Sequence, residues 1–413
     1  MLLLVLLGTV AVLGLGVGPA HAAGEAIQGP LRNEGKPVPG VKVTVTGPDG
    51  FTGEATSGED GRWQLEVPGP GQYKVELDVG TLPEGVALRF ADRNPIETTV
   101  GGNQQKSVLF ALGKGTVTTS SQSDRVLNLF AQGLRFGLLI ALAAVGLSLI
   151  FGTTGLTNFA HGELVTLGAV VALVLNMRGV PLLLATAITL LVCGVAGWLL
   201  DAGLWAPLRR RGTGLIAMMI VSIGLSIAAR YIILYGIGGS TQSYPDTQGQ
   251  TALGPGPISL TVLDYVSMLL SVVVLLAVAY FLLRTRIGKA TRAVADNPAL
   301  ASASGIDVEG VIRIVWVTGA ALAGLGGVLL GIAQQVNYQM GLQILLLIFA
   351  AVTLGGLGTA FGALVGSLVV GLFVELSTLF IPTEMKTVGA LAILILILLV
   401  RPQGILGRAQ RVG

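Results

Sequence analysis

Nine apolar stretches crowd into the last two thirds of the chain, near residues 127–151, 158–176, 181–205, 214–236, 263–283, 314–335, 343–355, 360–380 and 386–400. Most approach the roughly 20 residues that a helix needs to cross a bilayer, and only 343–355 is clearly short. Hydrocarbon offers no water to unpaired backbone groups, so repeated stretches of this length predict a bundle of membrane-spanning helices. Composition agrees, with 52% hydrophobic and only 11% charged residues, against about 25% charged in a soluble domain. The 60 glycines fall into no collagen-like period. Many stand at four-residue steps, such as Gly358, Gly362 and Gly366, or Gly327 and Gly331, where small residues let helices approach closely.

Residues 25–113 are built for water instead, carrying 8 Lys and Arg with 12 Asp and Glu, whereas 126–413 carry 15 and 9. Here the apolar period is two: Val41, Val43 and Val45 alternate with Lys42, Thr44 and Thr46, and Trp63, Leu65 and Val67 with Gln64 and Glu66. Tyr73, Val75 and Leu77 repeat the pattern, and Gly47-Pro48-Asp49-Gly50 and Glu59-Asp60-Gly61 supply turns. Six or seven short strands in one β-sandwich follow. Residues 114–125 read as a polar linker. The expected fold is therefore multi-domain, a small all-β sandwich followed by a polytopic α-helical membrane domain over 126–408 with about 8–9 spans.

Residues 2–17 are almost wholly apolar and run into Pro19-Ala20-His21-Ala22-Ala23, which reads as a signal peptide over 1–22 cut after Ala22. Cleaved or retained as an anchor, it exports the sandwich. Alternation of the spans then puts Arg209, Arg210, Arg211, Arg284, Arg286, Lys289, Arg292, Arg313, Arg401, Arg408 and Arg411 in the cytoplasm, and only Arg178 and Lys386 in outside loops. The positive-inside rule gives the same orientation independently. The lone Cys193 excludes an internal disulfide, and His161, the one histidine left after cleavage, excludes a multi-His metal site.

Two segments carry most of the functional signal. The first, Gly152 to Glu163, is the densest polar run in the membrane part and places Asn158, His161 and Glu163 at the inner mouth of the second span. Ionisable groups there are costly and point to function. The residues suit either a substrate-binding role or a structural or gating one, Glu163 being welcome at a helix N-terminus. Gly355, Gly356 and Gly358 form a helix break that could line the same route, since broken backbone is tolerated against protein or a watery path.

The second is the basic loop 284–313. Asp296 or Asn297 can cap a helix, Pro298 suits its first turn, Ala299 to Ser304 continue it, and Gly305 stops it. A helix so short is marginal alone and needs a partner groove, into which Leu300 would insert.

The stretch from Gly146-Leu147-Ser148-Leu149-Ile150-Phe151-Gly152 through Asn158-Phe159-Ala160-His161-Gly162-Glu163 resembles the signature of branched-chain amino acid permeases of ABC importers. Pro207-Leu208-Arg209, Arg292 to Pro298 leading to Gly305-Ile306-Asp307, Gly319 to Gly324, and Arg401 to Arg408 extend the likeness over essentially residues 128–408. The resemblance implies a transport subunit in the bacterial plasma membrane. Its implied partners are a second homologous permease, two ATPase subunits that hold the ATP and Mg²⁺, and an extracytoplasmic solute-binding protein. It also implies that the 296–305 helix couples to the ATPase. Branched-chain or other hydrophobic amino acids are the implied cargo, with urea or short amides as the alternative. Residues 35–73 of the sandwich are similar to carboxypeptidase regulatory-like domains.

Other classes fare worse. The chain has no Gly-x-x-x-x-Gly-Lys-Ser/Thr loop, so an ATP site must be supplied in trans. An ion-coupled secondary transporter would place charges deep in several spans, where the sequence offers one polar cluster and Arg230. No nucleophile, base and orienting group assemble into an enzyme site, and the net charge of +3 needs no nucleic-acid partner.

Overall fold

A computed structural model describes residues 25–33, 36–88, 94–101, 105–113, 122–247 and 258–382, with five isolated positions beyond. The expected signal peptide, most of the ninth span at 386–400 and most of the 114–125 linker lie outside the described residues.

The sandwich is built from a three-stranded sheet, β6 (Arg62–Glu66), β1 (Ala26–Pro30) and β9 (Gln105–Ser107), and a four-stranded sheet, β5 (Thr52–Thr56), β4 (Lys42–Thr46), β7 (Gly71–Leu77) and β8 (Ile96–Val100). Strands β4 and β7 run antiparallel with Val43 opposite Leu77 and Val45 opposite Val75, so the alternating valines share one face. That face is dry: Ile27, Val43, Val45, Trp63, Tyr73 and Val75 are all buried, while Lys42 and Glu54 pair in solvent. Six or seven strands were expected and nine are described, because β2 (Arg32–Asn33) and β3 (Lys36–Pro37) form a two-residue hairpin too short to carry a period-2 pattern.

The membrane part is a bundle around α1 (Gln122–Thr154), of whose apolar stretch 83% is buried. The helix starts four residues ahead of the expected boundary at 126. Its polar first turn projects past the apolar layer, where Asp124 suits a helix N-terminus and Arg125 donates to the Thr378 carbonyl at 3.3 Å. Around it stand α2 (His161–Met177), α3 (Leu182–Leu200), α4 (Ala206–Arg210), α5 (Leu215–Ile237), α6 (Val262–Arg284), α9 (Val308–Gln334), α10 (Met340–Gly355) and α11 (Ala360–Leu376). Between α6 and α9, at one end of the bundle and packed on it through Val294 and Ala301, lie α7 (Arg286–Asp296) and α8 (Pro298–Ala303).

Glycines set the packing. On α1, Gly133 and Gly137 lie against Leu372 and Leu368 of α11, and Gly146 lies against Gly319 of α9. Both pairings run antiparallel, and a Cβ at any of these glycines would enter the neighbouring backbone. At its start α6 is fixed by a capping box, in which Thr261 Oγ accepts from the Asp264 amide at 3.3 Å and Asp264 accepts from the Thr261 amide at 2.8 Å.

Among the described residues, six helices are long and apolar enough to span a bilayer, counting α3 and α4 as one rod joined through the π-helical turn Asp201–Trp205. The other two, α2 and α10, have only 17 and 16 residues. The expectation of a full-length span at 158–176 is corrected accordingly, while 343–355 is short as its sequence implied. Each helix is preceded by irregular backbone that enters the bundle, so neither needs to cover the whole thickness. At one end of the bundle, where α2, α5 and α9 finish, Arg62 and Trp63 of the sandwich share a cavity of about 830 Å³ with Met177, Ser243 and Gln335.

Candidate translocation site

Three helices with very different burial meet at the start of α2. The chain leaves α1 at Gly155, whose φ of +69° ends the helix, and turns back into the bundle through Leu156 to Ala160. Asn158, fully buried, accepts the Ala160 amide on its side chain at 3.1 Å and the His161 amide on its carbonyl at 3.2 Å, which starts α2.

Depth follows from His161, whose Nε2–H donates to the carbonyl of Ala143 at 2.9 Å. Ala143 lies eleven residues before the end of α1, which at ~1.5 Å per residue is about 16 Å along the axis, near the middle of a ~30 Å hydrocarbon layer. The expected position of His161 and Glu163 at the inner mouth is therefore corrected to mid-bundle. The reason is the re-entrant segment 155–160, a polar run that in sequence alone reads as a turn at the membrane surface but in the fold carries the helix start inward. On the far side α10 begins at the same level, since the Gly341 amide donates to Thr166 Oγ at 3.1 Å and Gly341 lies against the Gly162 backbone.

Glu163, 5% exposed, faces α5. Its Oε1 receives three groups: Arg230 Nη2 at 2.7 Å, Arg230 Nε at 3.1 Å and Ser226 Oγ at 3.0 Å. Arg230 Nη2 also donates to Ser226 Oγ at 3.0 Å. One turn earlier, Ser222 Oγ accepts the Phe159 amide at 3.0 Å. Everything crowds onto one carboxylate oxygen. Glu163 Oε2 and His161 Nδ1 are buried and have no hydrogen-bond partner among the described residues.

Of the residues expected at the site, Asn158, His161 and Glu163 come together here. Gly355, Gly356 and Gly358 form a neighbouring break between α10 and α11, with Gly356 and Gly358 at φ of +110° and +79°. Its backbone is satisfied, the Thr359 amide donating to the Gly356 carbonyl at 3.2 Å, and its glycines serve close packing of Gly355 on Gly362 and of Gly358 on Gly152. The tilted ring pair Phe159 and Phe349, 5.2 Å apart, links the two regions. In the sequence Arg230 stands alone among apolar residues, and only the fold joins it to Ser222 and Ser226 at this site. The four-residue spacing of Ser222, Ser226 and Arg230 was the available signal, since it places all three on one helix face.

A second constellation marks the opposite end from the sandwich. Asn297 Oδ1 accepts the Leu300 amide at 3.0 Å, Pro298 opens α8, and Gly305 at φ +83° ends the turn that follows. Asn297 is thus the cap, and Asp296 is the last residue of α7. Leu300 is 64% exposed, while Ala301 is buried against the bundle and so is not free to insert elsewhere. Beside it, buried Asp201 meets Arg209 at 2.8 Å and Arg209 meets Glu309 of α9 at 2.8 Å. Trp205 and Trp316 stack 5.6 Å apart, tying the π-helical turn to α9.

Comparison with known proteins bears directly on this bundle. Residues 129–399 match the family model described as branched-chain amino acid transport system / permease component. The high-affinity branched-chain amino acid transport system permease protein LivH of Escherichia coli is 34% identical over 293 residues, covering 68% of this chain and 94% of that protein. BraD of Pseudomonas aeruginosa, a permease of the same description, is 31% identical over 68% of this chain and 95% of its own length. The probable LivH of Methanocaldococcus jannaschii is 32% identical over 65% and 89%. No solved structure matches. The re-entrant start of α2, the α10–α11 break and the capped helix α8 all fall inside the matched residues, and the chain belongs to the LivH-like family of branched-chain amino acid permease components of ABC importers.

Proposed function

We propose that this chain is the membrane-spanning subunit of an ATP-driven importer for branched-chain or other hydrophobic amino acids. It does no chemistry itself. It works in a bacterial plasma membrane beside a second related permease, two ATPase subunits and an extracytoplasmic solute-binding protein. The family match over residues 129–399 carries this reading, and helix α8 supports it, a capped helix of six residues that is too short to be stable alone and that exposes Leu300. The absence of a phosphate-binding loop in the sequence fits hydrolysis in trans. We read residues 1–22 as the export signal and the sandwich as an extracytoplasmic docking or spacer module. Urea and short amides remain the second reading of the cargo.

Uptake by the reconstituted importer distinguishes the cargoes. The amino acid reading expects unlabelled leucine, isoleucine and valine to compete for labelled leucine uptake and urea or acetamide to have no effect. Competition by urea alone would overturn it.

A further inference from the structure

We infer that Glu163 and Arg230 read the two charges of a zwitterionic amino acid at mid-membrane, and that their mutual ion pair is the latch that holds α5 closed until that ligand replaces it. The inference rests on the amino acid reading above and names the groups that would carry it.

Of the long helices, α5 is the least tied into the bundle. Only 22% of its apolar stretch is buried, against 83% for α1. Two polar ties join it to α2 and the segment before it, the Glu163–Arg230–Ser226 cluster and the Ser222 bond to the Phe159 amide. Helices at the low-stability end of a fold are the ones that move.

Charge balance points to the ligand. A lone charge at this depth is expensive, whereas a pair is tolerated. Opening the pair therefore needs a ligand that supplies an anion for Arg230 and a cation for Glu163 together. The α-carboxylate and α-ammonium of an amino acid do so, and the ion pair re-forms when they leave. A sugar, urea or an amide brings no charges and would leave both groups stranded.

The site also has capacity to spare. Glu163 Oε2 and His161 Nδ1 are buried without partners, and all three donors in reach of Glu163 crowd onto Oε1. An ammonium brings three donors, enough to satisfy Oε2 while Arg230 swings its planar fork to a carboxylate. The neighbouring rings Phe159 and Phe349 offer apolar surface for a hydrocarbon side chain.

The test uses the complete importer in proteoliposomes, with L-leucine as the probe. The double variant Glu163→Gln with Arg230→Gln removes the latch without stranding a charge. It should lose leucine uptake at least ten-fold while its ATP hydrolysis without solute rises to the solute-stimulated rate of wild type, an effect that loss of a merely structural contact does not produce. Leucine uptake within two-fold of wild type, with hydrolysis still dependent on solute, would overturn the inference and leave the proposed function standing. A wild-type importer that takes up no leucine, isoleucine or valine would overturn both. Where the double variant fails to assemble, labelled leucine binding to the wild-type complex freed of its binding protein decides. Leucinamide, without the carboxylate, and 4-methylpentanoate, without the ammonium, should each compete at least ten-fold more weakly than leucine. Equal competition by either would remove one of the two contacts and overturn the inference.

Discussion

Gly168 on α2 and Gly324 on α9 cross backbone to backbone, so closely that a Cβ on Gly168 would overlap the Gly324 carbonyl. Gly324 in turn faces Cys193 of α3, whose Sγ would stand 2.5 Å from any Cβ placed there. Three helices thus meet where none has a side chain to spare.

Gly168→Val should therefore separate α2 from α9. Overpacking of a core costs about 1–3 kcal/mol and more where backbone must move. Membrane abundance and the thermal midpoint in detergent should both fall. A variant with normal values for both would show that the crossing has slack the glycines do not reveal.

Leu300→Asp addresses helix α8 without touching the bundle, because Leu300 is 64% exposed and the inward contact is made by Ala301. An aspartate carried into an apolar groove loses its hydration, at a cost of several kcal/mol for an unpaired buried charge. ATPase co-purification and transport should fall together at unchanged permease abundance. Retention of the ATPase with normal solute-stimulated hydrolysis would remove α8 from coupling.

Orientation can be read with single cysteines, since native Cys193 is fully buried and gives little background. Thr56→Cys in the sandwich should react with an impermeant reagent in intact cells, and Ser302→Cys in α8 only after the membrane is opened. Both positions are exposed, so a reversed pattern would invert the topology.

The bundle was legible in the sequence because bilayer thickness writes itself as runs of about 20 apolar residues. The sandwich was legible because Val41, Val43 and Val45 alternate with polar neighbours. The depth of His161 was not, since a polar run such as 155–160 reads as a turn at the membrane surface as readily as a segment that re-enters the bundle. The partner of Glu163 was half visible: an arginine amid the apolar residues of α5 demands a counter-charge, but 67 residues separate the two, and only packing brings them to 2.7 Å. A cap before Pro298 was legible in the order Asp-Asn-Pro, but the choice of Asn297 over Asp296, like the burial of Ala301, depends on how α7 returns to the bundle, which no local pattern encodes.

The most direct test of the account is the energy source. Proteoliposomes holding this chain with its partner permease, ATPases and saturating solute-binding protein should accumulate labelled leucine when ATP and Mg²⁺ are sealed inside, with or without ionophores that abolish ion gradients. Uptake that ignores ATP and collapses with the ionophores would contradict the assignment of this chain to an ATP-driven importer.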